Sequence, residues 1–186
     1  MVARWKPVHL GHEPVLRALC DRGERALIGV GSSNRHNLKN PFTFEESVEM
    51  IRLALGGRAN CEVLPVPDLD DGPRWRTMVA ALFGPLDLFV TDNPYVAHLM
   101  APKYCIGRPV DLVPPQERVP LDGTMVRSEM ARGSGWREMV PPEVADYIVE
   151  RGLDERFRRE FGLETLASCV VTQGAPAGRT ADVLLG

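Results

Sequence analysis

RWKPVHLGHEP, residues 4–14, carries two of the chain's four histidines in the string His9-Leu10-Gly11-His12. It lies between a short apolar start, MVAR (1–4), and the run HEPVLRALCDRG (12–23). In that run Val15, Leu16, Leu19 and Cys20 share one helical face, and Gly23 ends it. The stretch therefore reads as the turn from a first strand into a first helix.

Outward from this turn the same alternation continues. RALIGVG (25–31) is a buried-strand run, and TFEESVEMIRLALGG (43–57) is a helix that Thr43 and Glu46 open in capping-box spacing. CEVLPV (61–66) reads as a third strand, PRWRTMVAALFG (73–84) as a helix, and LDLFVTDNP (86–94) as a fourth strand leaving through Asn-Pro. Strands separated by helices predict an α/β fold, a Rossmann-like doubly wound parallel sheet of about five strands. GTMVRSEMARG (123–133), PPEVADYIVERG (141–152) and LDERFRREFGLETLAS (153–168) read as further helices. The expected organisation is a single domain over 1–168, with a core at 1–133 and a helical annex at 134–168. Residues 169–186, rich in Gly, Ala and Thr, are expected to form a loose tail.

Composition narrows the function. Of 186 residues 44% are apolar and 25% charged, as in an ordinary globular domain, and the net charge of −3 provides no broad basic field for nucleic acid. No apolar run approaches the ~18 residues of a membrane span, and Arg4 and Lys6 interrupt any signal-peptide core. Cys20, Cys61, Cys105 and Cys169 show no C-x-x-C spacing, so free buried thiols in a reducing cytoplasm are expected. A homo-oligomer is compatible with all of this.

In such a sheet ligands collect at the carboxyl ends of the strands. His9–His12, Ser32–Ser33, Asp68 and Asp92–Asn93 each follow a predicted strand and should line one crevice. As a metal pair, His9 and His12 lack a third ligand in recognisable spacing. As a phosphate loop they fit better. The helix beginning at His12-Glu13-Pro14 should aim backbone N–H groups into the crevice, Gly11 permits close approach, and two imidazoles supply donors. Arg4 and Lys6 add positive charge.

Gly29-x-Gly31 lacks the third glycine of a dinucleotide fingerprint, having Asn34 in its place, and no G-x-x-x-x-G-K-[ST] string occurs. A second phosphate element is Asp122-Gly123-Thr124-Met125-Val126-Arg127. Gly123 and Thr124 at a helix start are expected to present free N–H groups and a hydroxyl, with Arg127 pointing from the first turn to the same opening.

With both elements in hand, the chain resembles the nucleotidylyltransferase (HxGH) superfamily, and most nearly its archaeal-type nicotinamide mononucleotide (NMN) adenylyltransferases. RWKPVHLGH resembles the family's R-F-Q-P-F-H-x-G-H, GVGSSN…NPFT its G-I-G-S-A-Q…E-N-P-F-T, and PVPDL its P-I-P-D-I. DNPYV is similar to N-N-P-L-V, GTMVRSEM to G-T-E-I-R-R-R-M, and WREMVPPEV to W-x-x-L-V-P-x-x-V. The matches keep the family's order over about residues 3–150.

The resemblance implies attack by a small acceptor's phosphate on the α-phosphorus of a nucleoside triphosphate, with pyrophosphate leaving. It implies Mg²⁺ as cofactor, held through the phosphates and by no protein ligand. His9, His12, Arg4, Thr124 and Arg127 would be catalytic; Lys6, Gly11, Asn93 and Gly123 would bind the nucleotide; Ser32, Asp68 and Trp75 would bind the acceptor. Three departures bear on the acceptor: Gly72 replaces a usual asparagine, Ser47 replaces a usual arginine, and NRHN (34–37) is one residue short. The implied reaction is ATP + NMN to NAD + pyrophosphate. The rival is a CTP-dependent cytidylyltransferase acting on a small phosphate or phosphonate, and a third reading is a nucleotide sensor without turnover.

Overall fold

A computed structural model describes residues 1–174, with backbone only for 169–174. Strand β1 (Val2–Ala3) leads through α1 (Glu13–Arg22) to β2 (Ala26–Gly31), and α2 (Phe44–Leu55) leads to β3 (Cys61–Val66). After α3 (Gly72–Phe83) come β4 (Phe89–Val90), α4 (Pro94–Met100) and β5 (Ile106–Gly107). The pairings of these strands are parallel: β1-β2-β3 form a three-stranded sheet in that order, and β4-β5 form a second, two-stranded sheet.

The sheet is covered on both faces, and β2 shows how. Its side chains alternate. Ile28 and Val30 join a cluster with Leu16 and Cys20 of α1 and Met50, Ile51 and Leu55 of α2. Leu27 points the other way, to Val79 and Phe83 of α3, Phe89 and Met100. A doubly wound sheet is the result, as the alternating pattern predicts.

The annex follows α5 (Gly123–Arg132) and comprises α6 (Pro142–Glu150), α7 (Leu153–Phe157) and α8 (Leu163–Gly174), the last two joined by a π-turn at Arg158–Gly162. Its Trp136, Val144, Ile148 and Phe157 are buried in the same cluster as Ile28 and Leu16. The capping box of α2 adds a polar tie. Glu46 accepts from the Thr43 N–H at 2.9 Å and pairs with Arg156 through both oxygens, at 2.6 and 2.7 Å.

Four expectations are corrected here. The fourth strand is Phe89–Val90 alone, and Asn93-Pro94 opens α4, a helix the sequence reading missed. Asn93 caps it and Pro94 takes the first helical position, so the start signal was present, but seven residues are too few to show a period. The expected tail is partly helix, since α8 runs to Gly174; residues 175–186 lie outside the described residues. Cys20 and Cys61 are not free thiols but form a disulfide between α1 and the start of β3, their Cα atoms 6.3 Å apart. The tertiary fold brings these residues, 41 apart in sequence, into one cluster. Cys105 is free but exposed rather than buried.

Candidate active site

The histidine loop leaves β1 through Trp5, whose backbone takes a positive φ of 55°. That turn buries the indole, which donates from Nε1 to the Gly29 carbonyl at 3.0 Å and packs on His12, ring centroids 4.7 Å apart. His9 and His12 stack at 3.6 Å with 23° between their planes. The Gly11 N–H donates to His9 Nδ1 at 3.2 Å, which places the proton of a neutral His9 on Nε2. A Cβ on Gly11 would stand 2.9 Å from the Leu121 carbonyl oxygen and 3.1 Å from the His9 ring, so glycine is required by space.

Burial keeps both imidazoles neutral. It lowers the His9 pKa to about 4, with Asp122 opposing and Arg127 reinforcing the shift. It holds His12 well below the ordinary histidine value, and His9 adds to that. His12 Nδ1 is buried without a hydrogen-bond partner among the described residues. A pair of neutral rings is suited to donating hydrogen bonds to an incoming anion.

The second element meets the first. Arg127 donates to the Lys6 carbonyl at 2.9 Å and to Thr124 Oγ1 at 3.3 Å. Burial lowers its pKa to about 10, helped by Arg4 and opposed by Asp122, so it stays charged at neutral pH. Arg4 is exposed and has no carboxylate partner among the described residues. Gly123 lies against Arg127, whose Nη1 is 2.9 Å from where a Cβ would stand.

Helix amides contribute less than expected. The His12 and Glu13 N–H groups both donate to the His9 carbonyl, at 2.8 and 3.2 Å, and Pro14 has no N–H. At α5 the Thr124 and Met125 N–H groups donate to Asp122 Oδ1, at 2.7 and 2.9 Å. The His12, Glu13, Thr124 and Met125 amides are thus occupied, because an unpaired amide there is costly and the chain supplies its own caps. Charge at this site comes from side chains.

Beyond Lys6 the crevice continues over β2 and β3. Lys6 Nζ donates to the Ser32 carbonyl at 3.1 Å, and Ser32 has a φ of 51°. Asn34 and Asp68 are joined by two hydrogen bonds, the Asp68 N–H to Asn34 Oδ1 at 2.8 Å and Asn34 Nδ2 to the Asp68 carbonyl at 3.0 Å. The Asp68 carboxylate faces Arg35 at 3.7 Å, and Arg35 also pairs with Asp70. Trp75, half-buried, sits at the rim of the Val66–Val79 cluster. Asn93 uses Oδ1 to cap α4, accepting from Tyr95 and Val96. Trp75 and Asn93 follow β3 and β4 in sequence, and among the described residues neither makes a hydrogen bond or ring contact with the imidazole pair.

Two of the departures acquire a structural account. A Cβ at position 72 would meet the Tyr95 hydroxyl at 2.2 Å, so that hydroxyl occupies the space a side chain there would need. Ser47 is fully buried and donates to the Thr43 carbonyl at 2.8 Å, so its hydroxyl is satisfied within its own helix. Sequence reasoning missed Trp5, which backs His12, and the Met139 carbonyl, which accepts the Leu10 N–H at 2.9 Å and ties the loop to the annex. The W-R-E-M string marked that turn without indicating its role.

These features, two stacked neutral imidazoles beside the cations Arg127, Arg4 and Lys6 at the carboxyl edge of a parallel sheet, have the chemistry a phosphate chain requires. Comparison with known proteins agrees. The cytidylyltransferase-like family model matches residues 2–129, and the chain belongs to that family. It is 34% identical over 152 residues to the nicotinamide-nucleotide adenylyltransferase of Methanococcus vannielii, covering 81% of this chain and 87% of that protein. It is 36% identical over 151 residues to the Methanocorpusculum labreanum protein of the same name, covering 80% and 88%. The fold is similar to a bifunctional NMN adenylyltransferase/ADP-ribose pyrophosphatase from Francisella tularensis, solved with AMP and a manganese ion. That likeness has a TM-score of 0.69 at 16% identity, covering 94% of this chain and 55% of the other.

Proposed function

We propose that the protein is a nucleotidylyltransferase that transfers the adenylyl group of ATP to NMN, yielding NAD and pyrophosphate. The observation that carries this is the meeting of His9–His12 with Arg127 and Thr124 through the Lys6 carbonyl, from opposite ends of the domain. The names of the relatives favour ATP and NMN over the cytidylyl alternative.

In the step itself an NMN phosphate oxygen forms a bond to the α-phosphorus while the bond from that phosphorus to the bridging oxygen breaks, and the electron pair leaves with pyrophosphate. The nucleophile is already anionic, so no base is needed. His9 donates from Nε2 and His12 acts beside it, stabilising charge as it moves onto the phosphate oxygens. Arg127, Thr124 and Arg4 hold the β- and γ-phosphates, and Gly11 and Gly123 leave space for them. Trp75 and Asp68 face the acceptor, and Asn93 borders the nucleoside.

A divalent ion belongs to this chemistry as part of the Mg–ATP substrate. Among the described residues no group of three or more His, Cys, Asp or Glu side chains forms a cage for a resident ion. No described helix is long and apolar enough to cross a membrane, and a cytoplasmic setting suits the substrates. The Cys20–Cys61 bond is out of keeping with a reducing compartment.

The test is a panel of the four nucleoside triphosphates against NMN and other small phosphate and phosphonate acceptors. NAD and pyrophosphate should form in equal amounts from ATP and NMN. Turnover confined to CTP, or nucleotide binding without any turnover, would overturn the reading.

A further inference from the structure

Lys6 is an unusual residue in this site. The residue is only 2% exposed, yet among the described residues its ammonium makes one hydrogen bond, to the Ser32 carbonyl, and has no carboxylate within ion-pairing distance. An ammonium has three donors, and a buried charge lacking an anion is costly. The residue also faces two ways. Its carbonyl holds Arg127, on the triphosphate side, while its side chain crosses to the loop after β2, towards Asp68.

We propose that Lys6 binds the phosphate of the acceptor, the attacking group, and not the triphosphate. This rests on the adenylyl-transfer reading for the existence of two phosphate groups, but not on the identity of the acceptor. The triphosphate side already has Arg127, Thr124 and Arg4. On the acceptor side, Arg35 is engaged by Asp68 and Asp70, which leaves Lys6 as the cation there without a carboxylate partner among the described residues. Seated between the two sides, the ammonium aligns the nucleophile with the α-phosphorus and offsets the repulsion between two polyanions.

The protonation state supports the assignment. Burial lowers the Lys6 pKa to about 8; Arg4 pushes the same way, while Asp68 and Glu46 oppose. The ammonium is therefore present at neutral pH and lost as pH rises through 8. The acceptor phosphate stays dianionic over that range, its second pKa being about 6. For NMN, kcat/KM at saturating ATP should bend down above pH 8 in the wild-type protein and stay level in Lys6→Arg. In Lys6→Gln the KM for NMN should rise about tenfold or more, with the KM for ATP within twofold. Thermal melting checks that each variant folds.

Calorimetry supplies a readout free of turnover: NMN, and separately inorganic phosphate, titrated into protein saturated with α,β-methylene-ATP. Lys6→Gln should weaken both about tenfold, and Lys6→Arg should restore them. A wild-type profile without the bend, a bend that persists in Lys6→Arg, or a Lys6→Gln defect confined to ATP would each refute the assignment. Failure of the wild-type protein to adenylylate NMN, with phosphate binding still dependent on Lys6, would reject NMN as acceptor and leave Lys6 in place.

Discussion

His12 is the residue on which the proposed chemistry bears most directly. Its ring is clamped between the Trp5 indole and His9, so truncation removes a donor without freeing the loop to rearrange widely. His12→Ala should lower kcat by about 10²-fold or more with a much smaller change in the KM for ATP, because a charge-stabilising donor acts chiefly in the transition state. Steady-state kinetics on folded variant protein decide it. Equal losses in kcat and in ATP affinity would make His12 a ground-state binding residue instead.

At the level of elements, α5 is held open to the site by its own cap. Asp122 satisfies two first-turn amides, but it also places a carboxylate beside Arg127, the arginine proposed to hold the triphosphate. Stability and binding therefore oppose each other here. Asp122→Ala should destabilise the protein by about 1 kcal/mol, the ordinary cost of a lost N-cap, and Asp122→Ser by much less. Affinity for ATP should rise in both, since a negative charge is removed. Urea unfolding and ATP titration of the two variants measure the opposite signs; a fall in ATP affinity would show that the carboxylate does not bear on the triphosphate.

For the whole molecule, the buried histidines couple the site to folding. Folding lowers the His9 pKa from 6.5 to about 4 and depresses His12 in the same direction. Below pH 6.5 the unfolded chain binds protons that the folded one refuses, so stability falls as pH falls. Between pH 7.5 and 5 His9 alone should account for about 2 kcal/mol of lost stability, with His12 adding to it. Denaturant unfolding at the two pH values should show this loss, and His9→Asn should remove a large part of it. A stability unchanged over that interval would mean that the rings are solvated rather than buried.

The sequence by itself determined the order of the longer strands and helices through to the annex, the parallel class of the sheet, and the two motifs at His9–His12 and Asp122–Arg127. Each is carried by a local signal: hydrophobic period, capping residues, or a short string such as His9–His12. Short elements escaped, because α4 and β5 lack the length for a period to appear. Tertiary structure alone decided what lies between distant segments: the Arg127 bond to the Lys6 carbonyl, the Cys20–Cys61 bond, the Tyr95 hydroxyl over Gly72, and the Met139 tether on the histidine loop. It also decided that the His12, Glu13, Thr124 and Met125 amides are bonded within their own turns and that Lys6 is buried against the Ser32 carbonyl. Burial and pairing depend on which surfaces the packed layers bring together, and no residue's local neighbours specify that.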